Sequence, residues 1–236
     1  MLVIGHRGAA GLAPENSLAA LRAGMKAGAD ILEFDVRLTK DKIPVLTHDF
    51  HTLRTHHDTS IISRHTLAEL QARTEPHPIL PLREVLDEFF GRILLNIEIK
   101  GRGTAAVVVQ LIKDNYIKKS GDWDCILFSS FRGGELMSIR KSSPDANLAL
   151  LHIENPFIFV AYLRTLRLTA VGFHRLYVNR FALEIAQRAG LFTYAYTVNR
   201  PHSALILADK GIDGIVTDHP ESILSEVQKV QKQTTR

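Results

Sequence analysis

The sequence predicts an α/β fold, a TIM-type (β/α)8 barrel with a small insertion after the second strand, and three observations carry that prediction. Apolar runs of strand length recur nine times along the 236 residues. Stretches of helical period separate most of them, the alternation produced by parallel strands joined through crossover helices. One connection breaks the rule: "RLTKDKIP" falls short of the dozen or more residues that a parallel crossover needs, so the second and third runs form an antiparallel hairpin. Setting that hairpin arm aside leaves eight β/α units, which suits a barrel in a chain of this length. A doubly wound sheet is the alternative assembly of the same units.

The elements follow in order. "LVIGH" reads as a short buried strand ending in a sharp "GHRG" turn, and "NSLAALRAGMKAG" as the helix after it. "ILEFDV" and "IPVLTH" make the hairpin. An excursion rich in His, Thr and Pro occupies residues 49–81, so that the insertion as a whole covers about 43–81. The strands "LLNIEI", "CILFSS", "LALLHI", "AVGFH", "FTYAYTV" and "GIVTD" then alternate with helices such as "AAVVVQLIKDNY", "GGELMSIRKS", "RFALEIAQRAG" and "SALILADKG". No linker composition and no internal repeat interrupts this order, so residues 1–236 are expected to form a single domain closed by a polar tail, "EVQKVQKQTTR".

Composition narrows the function classes. With 45% apolar residues the chain can bury a large core, and its single cysteine, Cys125, reads as a small buried hydrophobe in a protein that needs no disulfide. The longest apolar run, "FIFVAYL", is far below the ~18 residues needed to cross a bilayer. The expectation is a cytoplasmic protein without stable membrane insertion. A formal charge of +4, spread along the chain, suits a small anionic substrate and lacks the dense basic stripe of a nucleic-acid binder. Nothing in the composition specifies an oligomer.

Strand alternation then places the chemistry. In "ILEFDVR", Leu32, Phe34 and Val36 share one face and Glu33, Asp35 and Arg37 the other; in "LLNIEIK", Asn96, Glu98 and Lys100 oppose Ile97 and Ile99. In a barrel the polar sets point inward near the C-terminal mouth, so three acids converge. They need a counter-charge, and two are available: Lys100 with Arg37 as a salt-bridge network, or a hard divalent cation, Mg²⁺ or Ca²⁺. A hairpin turning at Lys40 to Lys42 brings His48 across from Glu33 to Asp35, and His6 approaches from the first strand with Arg7 beside it. Two imidazoles flanking such acids suit phosphoryl transfer, one removing a proton and the other supplying one.

Seven motifs extend this pattern: "GHRG", "PENS", "EFDV", "THD", "IEIK", "YTVN" and "GIVTDHP". In order and spacing, from residue 4 to about 220, the chain resembles the glycerophosphodiester phosphodiesterases. The resemblance implies a TIM barrel that hydrolyses glycerophosphodiesters, such as glycerophosphocholine or glycerophosphoethanolamine, to sn-glycerol 3-phosphate and an alcohol, with water or the substrate's own 2-hydroxyl as nucleophile. It makes His6 and His48 the acid/base pair and Glu33, Asp35 and Glu98 the ligands of one divalent cation, Mg²⁺ or Ca²⁺. Arg7 and Lys100 would bind phosphate, with Glu15 and Asn16 as braces, although Asn16 or Ser17 also reads as a helix cap. Asp218 either matches the family's "TD" or caps the last helix. The chain departs from the family in carrying Tyr196 where Trp is usual and in continuing "LRT" with "HHDTSIISRH". There, His51, His56, His57 and His65 either offer a second metal site or stand as solvated loop residues. Two other activities share these residues: a lysophospholipase D, for which "NPFIFVAYLRTL" would form an apolar mouth if it is not an ordinary packed helix, and a non-catalytic binding barrel.

Overall fold

Val3 and Ile4, both fully buried, anchor the strand β1 (Leu2–Gly5). In the computed structural model, which describes residues 1–234, β1 pairs in parallel with β2 (Ile31–Leu38) on one side and with β9 (Gly214–Thr217) on the other. Those two pairings close the ring. Between them run β4 (Leu94–Ile99), β5 (Ile126–Ser130), β6 (Asn147–His152), β7 (Ala170–His174) and β8 (Phe192–Tyr196), each parallel to the next. The protein is an eight-stranded TIM barrel. The ninth strand, β3 (Pro44–Leu46), hangs outside the ring, antiparallel to β2 with Val36 opposite Leu46 and Leu38 opposite Pro44. It is shorter than the "IPVLTH" run that announced it, because the chain leaves the ladder after one further bond, from Thr47 N to Asp35 O.

Alternation sorts the side chains into two layers. Leu32, Phe34, Val36, Ile97 and Ile99 point outward into the core shared with the helices, where each fully buried large side chain stabilises the fold by about 1.5–3 kcal/mol. Inside the ring, Ile4, Ile31, Leu127, Leu151, Tyr194 and Val216 form a second, smaller cluster. The helices packed around the ring are α1 (Leu18–Lys26), α4 (Leu82–Phe89), α5 (Thr104–Asn115), α6 (Gly133–Ser142), α8 (Arg180–Arg188), α9 (Pro201–Asp209) and α10 (Pro220–Thr234). Helix α10 absorbs most of the polar tail; its last two residues, 235–236, lie outside the described residues.

The insertion carries α2 (Leu53–His56) and α3 (Leu67–Arg73) and has a core of its own, built from Val45, Ile62, Leu70 and Ile79. Two other expectations need correction. Cys125 is only partly buried, at the end of a 3-10 turn that packs against the main core. "NPFIFVAYLRTL" is not an ordinary packed helix: it forms a 3-10 turn over Ile158–Tyr162 and the single-turn α7 (Leu163–Leu166). Three residues per turn stack only every third side chain on one face, so Phe159 is buried while Phe157, Ile158 and Val160 are exposed.

Candidate active site

The turn at the end of β1 is shaped by two glycines. A Cβ on Gly5 would lie 1.9 Å from the Gly8 carbonyl oxygen, and one on Gly8, whose φ is +90°, would lie 2.5 Å from the backbone of α1 at Ala20. The tight loop lets Arg7 N donate to a Glu33 carboxylate oxygen at 2.8 Å while the His6 and Arg7 side chains face the mouth. The N-terminus of α1 settles the ambiguity over its cap. Ser17 is the cap, its hydroxyl accepting from Ala20 N. Asn16 is therefore free to clamp Asp35 twice, donating from Nδ2 to the carboxylate at 3.0 Å and accepting from Asp35 N at 3.1 Å.

Glu33, Asp35 and Glu98 converge as alternation requires: Asp35 lies beside Glu98 in the β2–β4 register, and one oxygen from each of the three lies within 4.8 Å of the others. All three are buried. Their counter-charges are Lys100, 3.2 Å from Asp35 and 2.5 Å from Glu98, and Arg7, 3.3 Å from Asp35. Arg37 does not pair with them; it reaches past the site and donates to the His48 carbonyl at 2.9 Å. Against the effect of burial, Lys100 and Arg7 hold Asp35 down at about 2, whereas burial and then the Asp35 charge push Glu33 up to about 7 and Glu98 up to about 8. Two resident cations thus leave the trio short of positive charge. Glu33 Oε1 is buried without a hydrogen-bond partner, and an all-oxygen donor set of this kind fits a hard divalent cation.

The two histidines stand in different fields. His6 Nδ1 shares a proton with Asp218 at 2.6 Å, and Asp218 is itself held by Asn199, which donates to its carboxylate and accepts from its backbone N–H. Burial disfavours the His6 cation, but the Asp218 bond and the Glu33 charge outweigh burial and raise its pKa. Asp218 thus serves the site; its carboxylate is spent on His6 and Asn199. His48 follows β3 and shares a proton with Asp49 at 2.8 Å, and burial leads in lowering its pKa. Arg54 in α2 completes a chain between the two sides of the mouth. It grips Glu15 through both terminal nitrogens, at 2.6 and 2.7 Å, and Asp49 through Nε at 2.7 Å, while Glu15 also accepts from Arg7 at 2.8 Å.

Tyr196 turns its hydroxyl away from the trio to donate to the His152 carbonyl, so it offers the mouth a ring face. That ring, with His6, Glu33, Glu98 and Tyr194, bounds a cavity of about 30 Å³ beside the acids. The insertion histidines do not gather: His51 accepts from Leu53 N, His56 bonds the His77 carbonyl and His65 the Ile61 carbonyl. Among the described residues the acid trio is the one cluster with metal-ligand geometry. Sequence reasoning passed over Asp49, Arg54 and Asn199, although all three lie in or beside the quoted "THD", "LRT" and "YTVN" motifs.

Fold and site together define a TIM-barrel hydrolase whose mouth gathers acids, arginine, lysine and two carboxylate-paired histidines. The family model for the glycerophosphoryl diester phosphodiesterase family matches residues 6–222, and the chain belongs to that family of enzymes. It is 30% identical to the glycerophosphodiester phosphodiesterase of Caldanaerobacter subterraneus, over 97% of this chain and 98% of the relative. A phosphodiesterase from Oleispira antarctica, solved in complex with the product sn-glycerol-3-phosphate, superposes with a TM-score of 0.86 at 29% identity, covering 97% of both chains. The Thermotoga maritima glycerophosphodiester phosphodiesterase gives 0.83 at 27% identity, covering 95% of this chain and 97% of its own.

Proposed function

We propose that this enzyme hydrolyses small glycerophosphodiesters, glycerophosphocholine and glycerophosphoethanolamine among them, to sn-glycerol 3-phosphate and the free alcohol. The observation that carries the proposal is the pairing of His6 with Asp218 and of His48 with Asp49 on opposite sides of the acid trio. Glu33, Asp35 and Glu98 would hold one Mg²⁺ or Ca²⁺, which when bound supplies the positive charge that a phosphate diester and its transition state require. Arg7 and Lys100, already drawn into the trio, turn their remaining donors to the phosphate oxygens. His6, with its raised pKa, keeps a proton to give to the departing alkoxide; His48, with its lowered pKa, is neutral and accepts one from the nucleophile. Tyr196 packs its ring against the glycerol. The single, unpaired cysteine supports a cytoplasmic setting.

The test is release of glycerol 3-phosphate from both diesters with Mg²⁺, with Ca²⁺ and with EDTA, in the wild type, His6→Ala and Glu33→Ala. The expected result is metal-dependent release that falls about 10²- to 10⁴-fold in His6→Ala and is lost in Glu33→Ala. No release under any condition would leave a barrel that only binds such diesters. Lysophospholipase D activity is the second reading, favoured by the exposure of Phe157, Ile158 and Val160; choline release from lysophosphatidylcholine exceeding that from glycerophosphocholine would establish it.

A further inference from the structure

We propose that the β5–β7 side of the barrel mouth is a docking surface for an anionic phospholipid bilayer. Fourteen large apolar side chains are exposed among the described residues, and eight of them lie between residues 131 and 181, in the segments that follow β5, β6 and β7. These three strands are adjacent and parallel, so all three segments leave the same end of the ring, the end that holds the acid trio. Leu176 is 72% exposed, Phe181 63% and Ile153 53%. Its rings meet in two groups: Phe157 lies 6.1 Å from Phe181, and in the other Phe131 lies 5.9 Å from Tyr196 while His174 bridges Tyr196 at 6.0 Å and Tyr177 at 5.5 Å. Singly scattered apolar residues on a surface need no explanation, but eight gathered on one side of a site's mouth mark an interaction surface.

Charge identifies the occupant. Arginine–carboxylate pairs among the described residues involve Arg7, Arg22, Arg54, Arg73 and Arg180, but not Arg102, Arg132, Arg175 or Arg200, which follow β4, β5, β7 and β8. A cleft of about 540 Å³ next to the patch has Leu176, Val198, Ile206 and Leu207 as apolar lining and Arg175, Arg200 and Lys210 as its only charges. Apolar side chains flanked by unpaired cations match the boundary of a bilayer, where the former reach the acyl region and the latter meet lipid phosphates. A second copy of this chain fits less well, because a two-fold contact would set Arg175, Arg200 and Lys210 against themselves. No helix among the described residues is long and apolar enough to cross a membrane, so the contact is interfacial and reversible. Lys100 Nζ stands 5.5 Å over the Phe131 ring, which couples the patch directly to the site.

Docking is independent of the proposed diesterase reaction and has its own readout. The full chain is sedimented with vesicles of phosphatidylcholine and of phosphatidylcholine mixed with phosphatidylglycerol, at low and high salt. Binding is expected on the mixed vesicles and is expected to weaken with salt. Leu176→Ser combined with Phe181→Ser is expected to reduce it about tenfold or more, and each of Arg175→Gln and Arg200→Gln about fivefold. Circular dichroism and turnover of soluble glycerophosphocholine should be unchanged in the serine variant, since neither residue touches the acid trio or the histidines. Equal sedimentation of wild type and variants would overturn the proposal. So would an absence of vesicle binding together with a concentration-dependent dimer that the serine variant dissociates.

Discussion

At the scale of single residues, the two histidines differ less in position than in the carboxylate and burial each has been given. Because the His6 pKa is raised, its acid form persists into the neutral range, and activity should fall as pH rises through that pKa. Because the His48 pKa is lowered, its basic form persists below the usual histidine range, and activity should fall as pH drops through it. Asp218→Asn removes the bond that raises His6. The alkaline limb of kcat/KM should therefore move to lower pH while the acid limb stays in place; movement of both limbs together would disconnect Asp218 from His6. Gly8→Ala forces a Cβ against Ala20 at a positive φ, so more than about 1 kcal/mol of stability should be lost along with activity, read as thermal midpoint and kcat. Much of this scale was legible in the sequence. Alternation is obligatory in a pleated strand, so Glu33, Asp35 and Glu98 had to share the interior, and the short hairpin link had to return His48 to their level. Arg37 was misjudged for a physical reason: alternation fixes where a Cβ points, not where a long guanidinium ends, and Lys100 and Arg7 already filled the space beside the acids. The fate of Asp218 was open because its partner, His6, is 212 residues away, and a local cap signature looks the same either way.

At the scale of elements, barrel strands carry Glu33, Asp35, Glu98 and Tyr196, and His6, Arg7 and Lys100 follow directly on strand ends, but His48 rides on the arm outside. That arm is anchored by the three-residue β3 ladder and by the small core of Val45, Ile62, Leu70 and Ile79. Leu70→Ala removes one of four members of that core, at a cost of about 2–5 kcal/mol. Amide exchange in residues 44–81 should then quicken well before the barrel strands lose protection, with kcat falling in the same variant. Uniform quickening throughout the chain would mean that arm and barrel unfold as one unit. The helix "GGELMSIRKS" and the strand "AVGFH" are legible in the sequence to the residue, since periodicity and turn signals agree there. Residues 153–166 are not, because a short apolar run has no decisive period and only Phe159 and Leu166 of its apolar side chains enter the core fully.

At the scale of the whole molecule, three buried carboxylates that lack a full set of cations burden the fold, and the divalent cation proposed for them would relieve it. Saturating Mg²⁺ or Ca²⁺ at about a hundredfold above its Kd should add roughly 2.7 kcal/mol, a rise of roughly 5–10 °C in Tm for a chain of this size. EDTA should reverse the rise, and Asp35→Asn should abolish it; an unchanged Tm with either metal would exclude the trio as a cation site. The closure of the ring has a consequence for assembly as well. Strands β1 and β9 meet at the seam, and the His6–Asp218 bond straddles it, joining the residue just past the first strand to a partner laid down after the last. With His6 as the proposed proton donor, chemistry would be withheld from every partial product of synthesis: a nascent chain stalled before β9 can bury most of its strands yet lacks the carboxylate that orients His6. A turnover assay on fragments split between β8 and β9 would then count completed circles, and mixing the two pieces should restore the rate only as the seam reforms.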